Sequence, residues 1–310
     1  MGEAVLRARA LCQASFQGLV VSAMFLGGAV LLDPVTPVSL VSDAIAQDDK
    51  AKRDKRETRR TPALRNKVYE RLAEAQGLAE VKDFPGAAAI LSDMIAEDGK
   101  RALNSYELAN VYNLFAFLSY ATEDYSKSLR YYEQVIAQPD IPLAMEINTR
   151  FTIAQLYFVQ EKWQRGIDAL LVWFDLNEKP NAGAYVLLAQ GYYQVKNFDL
   201  ALKNVETAIT MHEGEGKLPK EQWYNLARFL YFDKEDYDSA LDVLNTLIIY
   251  YPKKQYWVQA SHLYGEKKEE QKQLALMEAA YEQGFLDRSS ELVNMSYLYL
   301  NAEVPYFAAS

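Results

Sequence analysis

His212, His262 and Cys12 are the only imidazole and thiol groups in the chain. They nearly empty the list of metal sites and of Cys/His nucleophile arrangements, which need several such ligands or a nucleophile with its base. No G-x-S-x-G, no phosphate-binding glycine loop and no H-E-x-x-H occurs. Gly214-Glu215-Gly216-Lys217 lacks the earlier glycine and the hydroxyl residue of a P-loop, and reads as a turn between helices. Carboxylates are plentiful, as at Asp233, Glu235, Asp236 and Asp238. A calcium loop would need alternating oxygens, a central glycine and a closing glutamate, and the glycine is missing here. Such crowding at a helix N-terminus is surface stabilised by the helix dipole. His262 sits among polar residues with no second histidine near it in sequence. The sequence therefore predicts no catalytic residue, no metal site, no cofactor and no enzyme activity.

The elements that could position other chemistry follow from composition and periodicity. The chain has 310 residues, 50% of them hydrophobic, and a formal net charge of −9. That length allows two compact domains or one continuous array. The acidic balance argues against nucleic acid, which calls for a basic patch. Tyrosine is abundant, at 22 residues, against only 14 glycines. Residues 1–46 read as an export signal: Arg7 and Arg9, an apolar run from Phe16 to Leu32, then the small residues Ala44-Ile45-Ala46. The same run is long enough for an uncleaved membrane anchor, so both readings stand. Residues 47–64 form a charged linker, with a basic excess between Asp48 and Arg60 that could also lie on anionic headgroups. Residues 61–310 carry 24 basic and 35 acidic side chains.

From residue 65 onward the apolar pattern is helical, at i, i+3, i+4 and i+7. A short phrase recurs, with an aromatic residue shortly before a small one: Asp83-Phe84-Pro85-Gly86-Ala87, Asp124-Tyr125-Ser126-Lys127-Ser128, Lys162-Trp163-Gln164-Arg165-Gly166, Asn197-Phe198-Asp199-Leu200-Ala201 and Asp236-Tyr237-Asp238-Ser239-Ala240. A degraded copy ends at Gln273, and a last one is Val304-Pro305-Tyr306-Phe307-Ala308; the small positions are 41, 38, 35, 39, 33 and 35 residues apart. This resembles the tetratricopeptide repeat, a 34-residue helix-turn-helix. Tyr224, Ala227, Arg228 and Tyr231 occupy the first-helix signature positions of one copy, with Ala240, Leu244 and Pro252 following. Tyr185, Leu188, Ala189 and Tyr192 do so in the copy before, and Trp257, Ala260, Ser261 and Tyr264 in the copy after. Arg228, where a small residue is usual, and Gln273, where alanine is usual, depart from the pattern. The resemblance implies an all-α, right-handed superhelical solenoid over residues 65–310, about six repeats plus a C-terminal half repeat. Tyr192, Tyr231, Tyr264 and Tyr299 would wedge between units. The half repeat implies either a fragment of a longer array or an apolar face that docks on something.

In this family the first helix of each unit lines a concave groove. Carried over, the groove positions are Asn113, Phe117 and Tyr120; Phe151, Gln155 and Phe158; Val186, Gln190 and Tyr193; Asn225, Phe229 and Phe232; and Val258 and His262. Amides can pair with peptide N–H and C=O groups, and aromatics add apolar area at low entropy cost. The set suits a protein or peptide partner; equally, its aromatics could pack laterally against the next first helix. None of the positions is basic, which disfavours the family's carboxylate clamp. The leader, the acidic array and phrases such as Tyr131-Tyr132-Glu133-Gln134-Val135-Ile136 also resemble periplasmic tetratricopeptide proteins associated with TonB-type energy transduction. That resemblance implies a periplasmic scaffold, anchored at the inner membrane if the leader is uncleaved, beside TonB/ExbB/ExbD-like proteins. The alternative is a cell-envelope assembly factor that holds outer-membrane or secreted proteins as a chaperone.

Overall fold

The computed structural model describes residues 62–139 and 141–301. The leader, most of the charged linker, Cys12 and the phrase at residues 304–308 lie outside the described residues. Those residues fold into thirteen α-helices and no strand. They divide into two compact bodies that meet in sequence between Pro180 and Asn181. The first holds α1 (Asn66–Glu80), α2 (Phe84–Ala96), α3 (Ser105–Ala121), α4 (Tyr125–Ile136), α5 (Leu143–Val159) and α6 (Trp163–Leu176). The second holds α7 (Ala182–Gln194), α8 (Phe198–Gly214), α9 (Glu221–Asp233), α10 (Tyr237–Tyr250), α11 (Lys254–Glu266), α12 (Glu270–Glu282) and α13 (Ser289–Asn301). Consecutive helices pair into hairpins, three in each body, and α13 follows as a further first helix at the end of the described residues. Each body is thus an α-solenoid of stacked hairpins.

One turn closes all six hairpins. Lys82, Glu123, Glu161, Lys196, Glu235 and Lys268 take the left-handed conformation, with φ between 56° and 64°. The residue after each donates its N–H back across the helix end: Asp83 to the Leu78 carbonyl, Asp124 to Ser119, Lys162 to Tyr157, Asn197 to Tyr192, Asp236 to Tyr231 and Glu269 to Tyr264, at 2.8–3.0 Å. This is a Schellman ending, a place where glycine is usual because an L side chain is strained there. The same residue then caps the second helix. The side chains of Asp83, Asp124, Asn197 and Asp236 accept from the N–H of Gly86, Lys127, Leu200 and Ser239. In these four hairpins one polar residue is helix stop and helix start at once, whereas Lys162 and Glu269 hold the same place without a side-chain cap.

Small residues set the distance between the two helices of a hairpin. Ala75, Ala116, Ala154 and Ala189 on first helices are fully buried, as are Ala87, Ser128 and Ala201 on second helices. Ser128 Oγ donates to the Ala116 carbonyl at 2.9 Å, so α3 and α4 touch at that point. At Gly166 a Cβ would lie 2.8 Å from the Phe158 ring. Gln273, the degraded copy, is matched by Gly265 on α11, where an added Cβ would lie 3.0 Å from the Gln273 amide.

Two of the wedge tyrosines, Tyr231 and Tyr299, tie successive hairpins together. Tyr231 donates to Glu206, and Tyr157, at the equivalent place two hairpins earlier, donates to Glu133 at 3.3 Å, each carboxylate lying on the second helix of the preceding hairpin. Tyr299 bonds Glu278 in the same way, and burial together with that bond pushes its phenol up to about 12. At the N-terminal end, Glu107 is fully buried inside a capping box with Asn104. Its carboxylate accepts from Arg65 Nε at 2.8 Å and Nη2 at 2.7 Å, linking α1 to α3.

Candidate partner-binding faces

The predicted groove residues fall into three groups. Phe158, Val186, Asn225 and Phe229, expected on the groove side, are buried in the folded chain. Phe117, Tyr120, Phe151, Tyr193, Phe232 and Val258 are half-buried or just exposed. Asn113, Gln155 and Gln190 are half-buried, and His262 is exposed.

The aromatics that close the first helices have a recurring partner. Tyr120 lies 5.5 Å from Tyr125, Phe158 6.2 Å from Trp163, Tyr193 5.8 Å from Phe198 and Phe232 6.3 Å from Tyr237, between ring centroids. Each partner opens the second helix of the same hairpin, so the dominant contact is within a unit. Lateral packing between first helices does occur at Tyr193 and Phe229, edge to face at 5.4 Å. Depth varies with the small residue beneath. Phe158 is only 1% exposed because Gly166 leaves room for its ring, whereas Tyr120, in the hairpin that carries Ser128 at the corresponding position, is 38% exposed.

The amides behave differently in different hairpins. Asn225 Nδ2 donates to Tyr256 Oη at 2.8 Å, and its Oδ1 accepts from Arg228 Nη2 at 3.0 Å. Tyr256 Oη in turn donates to Glu221, which also pairs with Lys253 at 2.7 Å. Arg228, at the position where the repeat expects a small residue, ends this chain. Its guanidinium stacks 5.6 Å from the centroid of the Tyr256 ring, and Nε and Nη1 are buried without a hydrogen-bond partner. These side chains fill the fifth first helix, where Trp223 through Leu230 are all buried. Asn113, Gln155 and Gln190 make no side-chain hydrogen bond among the described residues. Half-buried amides without partners retain both donors and acceptors for a ligand.

Sequence reasoning missed one open apolar face. Spacing of i, i+4 and i+7 puts Val293, Tyr297 and Leu300 on one side of α13, and they are 52%, 62% and 52% exposed. The signal was present in the assignment of Leu292, Met295, Ser296 and Tyr299 to packing positions of a seventh first helix, which leaves these three as its groove positions. No cluster of metal-ligating side chains occurs among the described residues, and no described helix is long and apolar enough to cross a membrane.

No family model and no curated protein matches the chain. Among solved structures it is similar to a tetratricopeptide repeat protein from Parabacteroides merdae ATCC 43184, at 15% identity over 78% of this chain and 89% of that one, with a TM-score of 0.48. It is also similar to YrrB, described as a TPR protein with an unusual peptide-binding site, at 16% identity over 63% of this chain and 91% of that one, with a TM-score of 0.45. Apo RapI matches at 9% identity over 78% of this chain and 94% of that one, with a TM-score of 0.46.

Proposed function

We propose that this chain is a tetratricopeptide-type scaffold that captures protein partners through the exposed faces of its first helices and performs no catalysis. The observation that carries the reading is the set Asn113, Gln155 and Gln190. These are half-buried amides on first helices, Gln155 and Gln190 at one repeat position and Asn113 one turn earlier in its own helix, that the protein's own hydrogen bonding leaves unused. A half-buried amide that no protein group engages keeps its donors and acceptor available to a polypeptide N–H or C=O. The export-signal pattern of residues 1–46 supports a periplasmic location for the scaffold, with the apolar run of residues 16–32 as an anchor if it is retained. There it works beside a TonB–ExbB–ExbD-type energy-transduction complex, in line with the phrases that resemble proteins of that group.

Affinity purification from envelope fractions tests this. Recovery of TonB-, ExbB- or ExbD-like proteins, reduced by Gln190→Ala with Tyr193→Ala at unchanged helicity, is the expected result. Recovery of unfolded porins in their place would support a chaperone role, and a cytosolic location would overturn the export reading.

A further inference from the structure

We infer that the second body contains a built-in joint: residues 254–301, the helices α11 to α13, lift from α9 and α10 as one unit before the rest of the body unfolds. The inference goes beyond the scaffold reading and does not depend on what the scaffold captures. The seated joint holds polar atoms that only its opening satisfies. Arg228 on α9 stands where other first helices carry Ala116, Ala154, Ala189 and Ser261. A guanidinium has five N–H donors. This one is 6% exposed and donates one bond, from Nη2 to Asn225. Its Nε and Nη1 are buried without a partner while the group stacks on Tyr256 of α11. Gln259, three residues along α11 from Tyr256, also buries its Oε1 without a donor. Buried polar groups are nearly always paired, so an unpaired cation at one contact marks where that contact is costly to keep. Lifting α11 hydrates the guanidinium.

The tie used at the neighbouring contacts is missing here. Tyr231 donates to Glu206 and Tyr299 bonds Glu278. Tyr264 is the corresponding tyrosine of α11, but Asn245 takes the place of the carboxylate on α10. Neither makes a side-chain hydrogen bond among the described residues. The bonds that do cross, Asn225 to Tyr256 at 2.8 Å and Tyr256 to Glu221, exchange for water on opening and hold modestly. The Lys253–Glu221 and Lys267–Asp238 pairs lie at the surface and add little. Apolar packing keeps the joint shut: Tyr256, Ala260 and Leu263 share one cluster with Leu241, Leu244 and Leu247 of α10. The lifted helices stay together, because Lys254 of α11 pairs with Glu291 of α13 at 2.8 Å and Trp257 packs on the cluster of Leu298 and Tyr299. Opening uncovers the apolar side of α10 together with the Arg228 charge, a surface the seated chain does not present.

Amide hydrogen exchange of the full chain, read by mass spectrometry across sub-denaturing urea concentrations, tests the joint. Amides of α11 and α12 should exchange through one shared opening, roughly tenfold or more faster than the slowest amides of α9 and α10. Arg228→Met keeps an apolar stem and removes the buried charge. It should slow the α11 and α12 amides about fivefold and leave α3 and α5 unchanged. Asn245→Glu supplies the missing partner for Tyr264 and should slow the same amides. Protection that falls off gradually from α11 to α13 and ignores both variants is fraying of a chain end and overturns the inference. Exchange of α11 in step with α9 and α10 overturns it as well. If Arg228→Met does not fold, α11 rates unchanged by Asn245→Glu are enough to reject the joint.

Discussion

Replacing glycine by alanine at two helical sites should move stability in opposite directions. Gly77, inside α1, has nothing within 4 Å of an added Cβ. Gly77→Ala therefore gains only the backbone term, about 0.5–1 kcal/mol. Gly166, in the first turns of α6, has three Phe158 ring atoms within 2.8–3.0 Å of its Cβ position. That ring is buried, lies 6.2 Å from Trp163, and cannot turn aside as a flexible chain would. Overpacking of this kind costs about 1–3 kcal/mol, so after the backbone gain Gly166→Ala should destabilise by about 0.5–2 kcal/mol. At about 2–4 °C per kcal/mol for a chain of this size, the two variants should separate by several degrees in Tm. Urea titration of each body's own fluorescence would localise the loss to the first body. Phe158→Leu in the Gly166→Ala background should recover most of it, since the two residues share one contact. Equal shifts for both glycines would refute the close approach of α5 and α6 at this point.

Arg228→Met should raise Tm, by a stability gain of about 1 kcal/mol. It removes a buried cation with two unpaired donors, partly offset by the lost Asn225 bond and Tyr256 stacking; a drop in Tm would contradict this. Tyr231→Phe should cost about 1.5 kcal/mol through the lost bond to Glu206, measured by thermal melting against Tyr237→Phe as a control. Burial raises the Glu107 pKa, but its bonds from Arg65 and the Asn104 N–H outweigh that and hold the carboxyl below the usual range. A depressed folded pKa contributes stability above the unfolded value that is lost as pH falls through the folded one. The stability gap between the native chain and Glu107→Gln should therefore close as pH drops below about 4.5, and a gap independent of pH would exclude the Glu107–Arg65 link.

The hairpins were readable because local chemistry repeats. Phe84, Tyr125, Trp163, Phe198 and Tyr237 each open a second helix, as the recurring phrase implies. Buried alanines sit where close helix approach demands them. The faces open to a partner were less readable, because openness depends on residues far away in sequence. Asn225 and Asn113 occupy the same place in the pattern, but Tyr256, thirty-one residues on from Asn225, consumes it. Phe158 and Tyr120 are likewise equivalent in spacing, and one missing Cβ at Gly166 buries the first. Arg228 was visible as a departure, but its partners were not.

Site-specific photocrosslinking in envelope preparations tests the partner-binding reading most directly. A benzoylphenylalanine placed at Tyr297 or Gln155 should yield a discrete crosslinked partner, while the same residue at the exposed second-helix position Tyr281 should yield none. Crosslinks absent from Tyr297 and Gln155 but present at Tyr281 would contradict it, because the partner would then lie on the faces of the second helices.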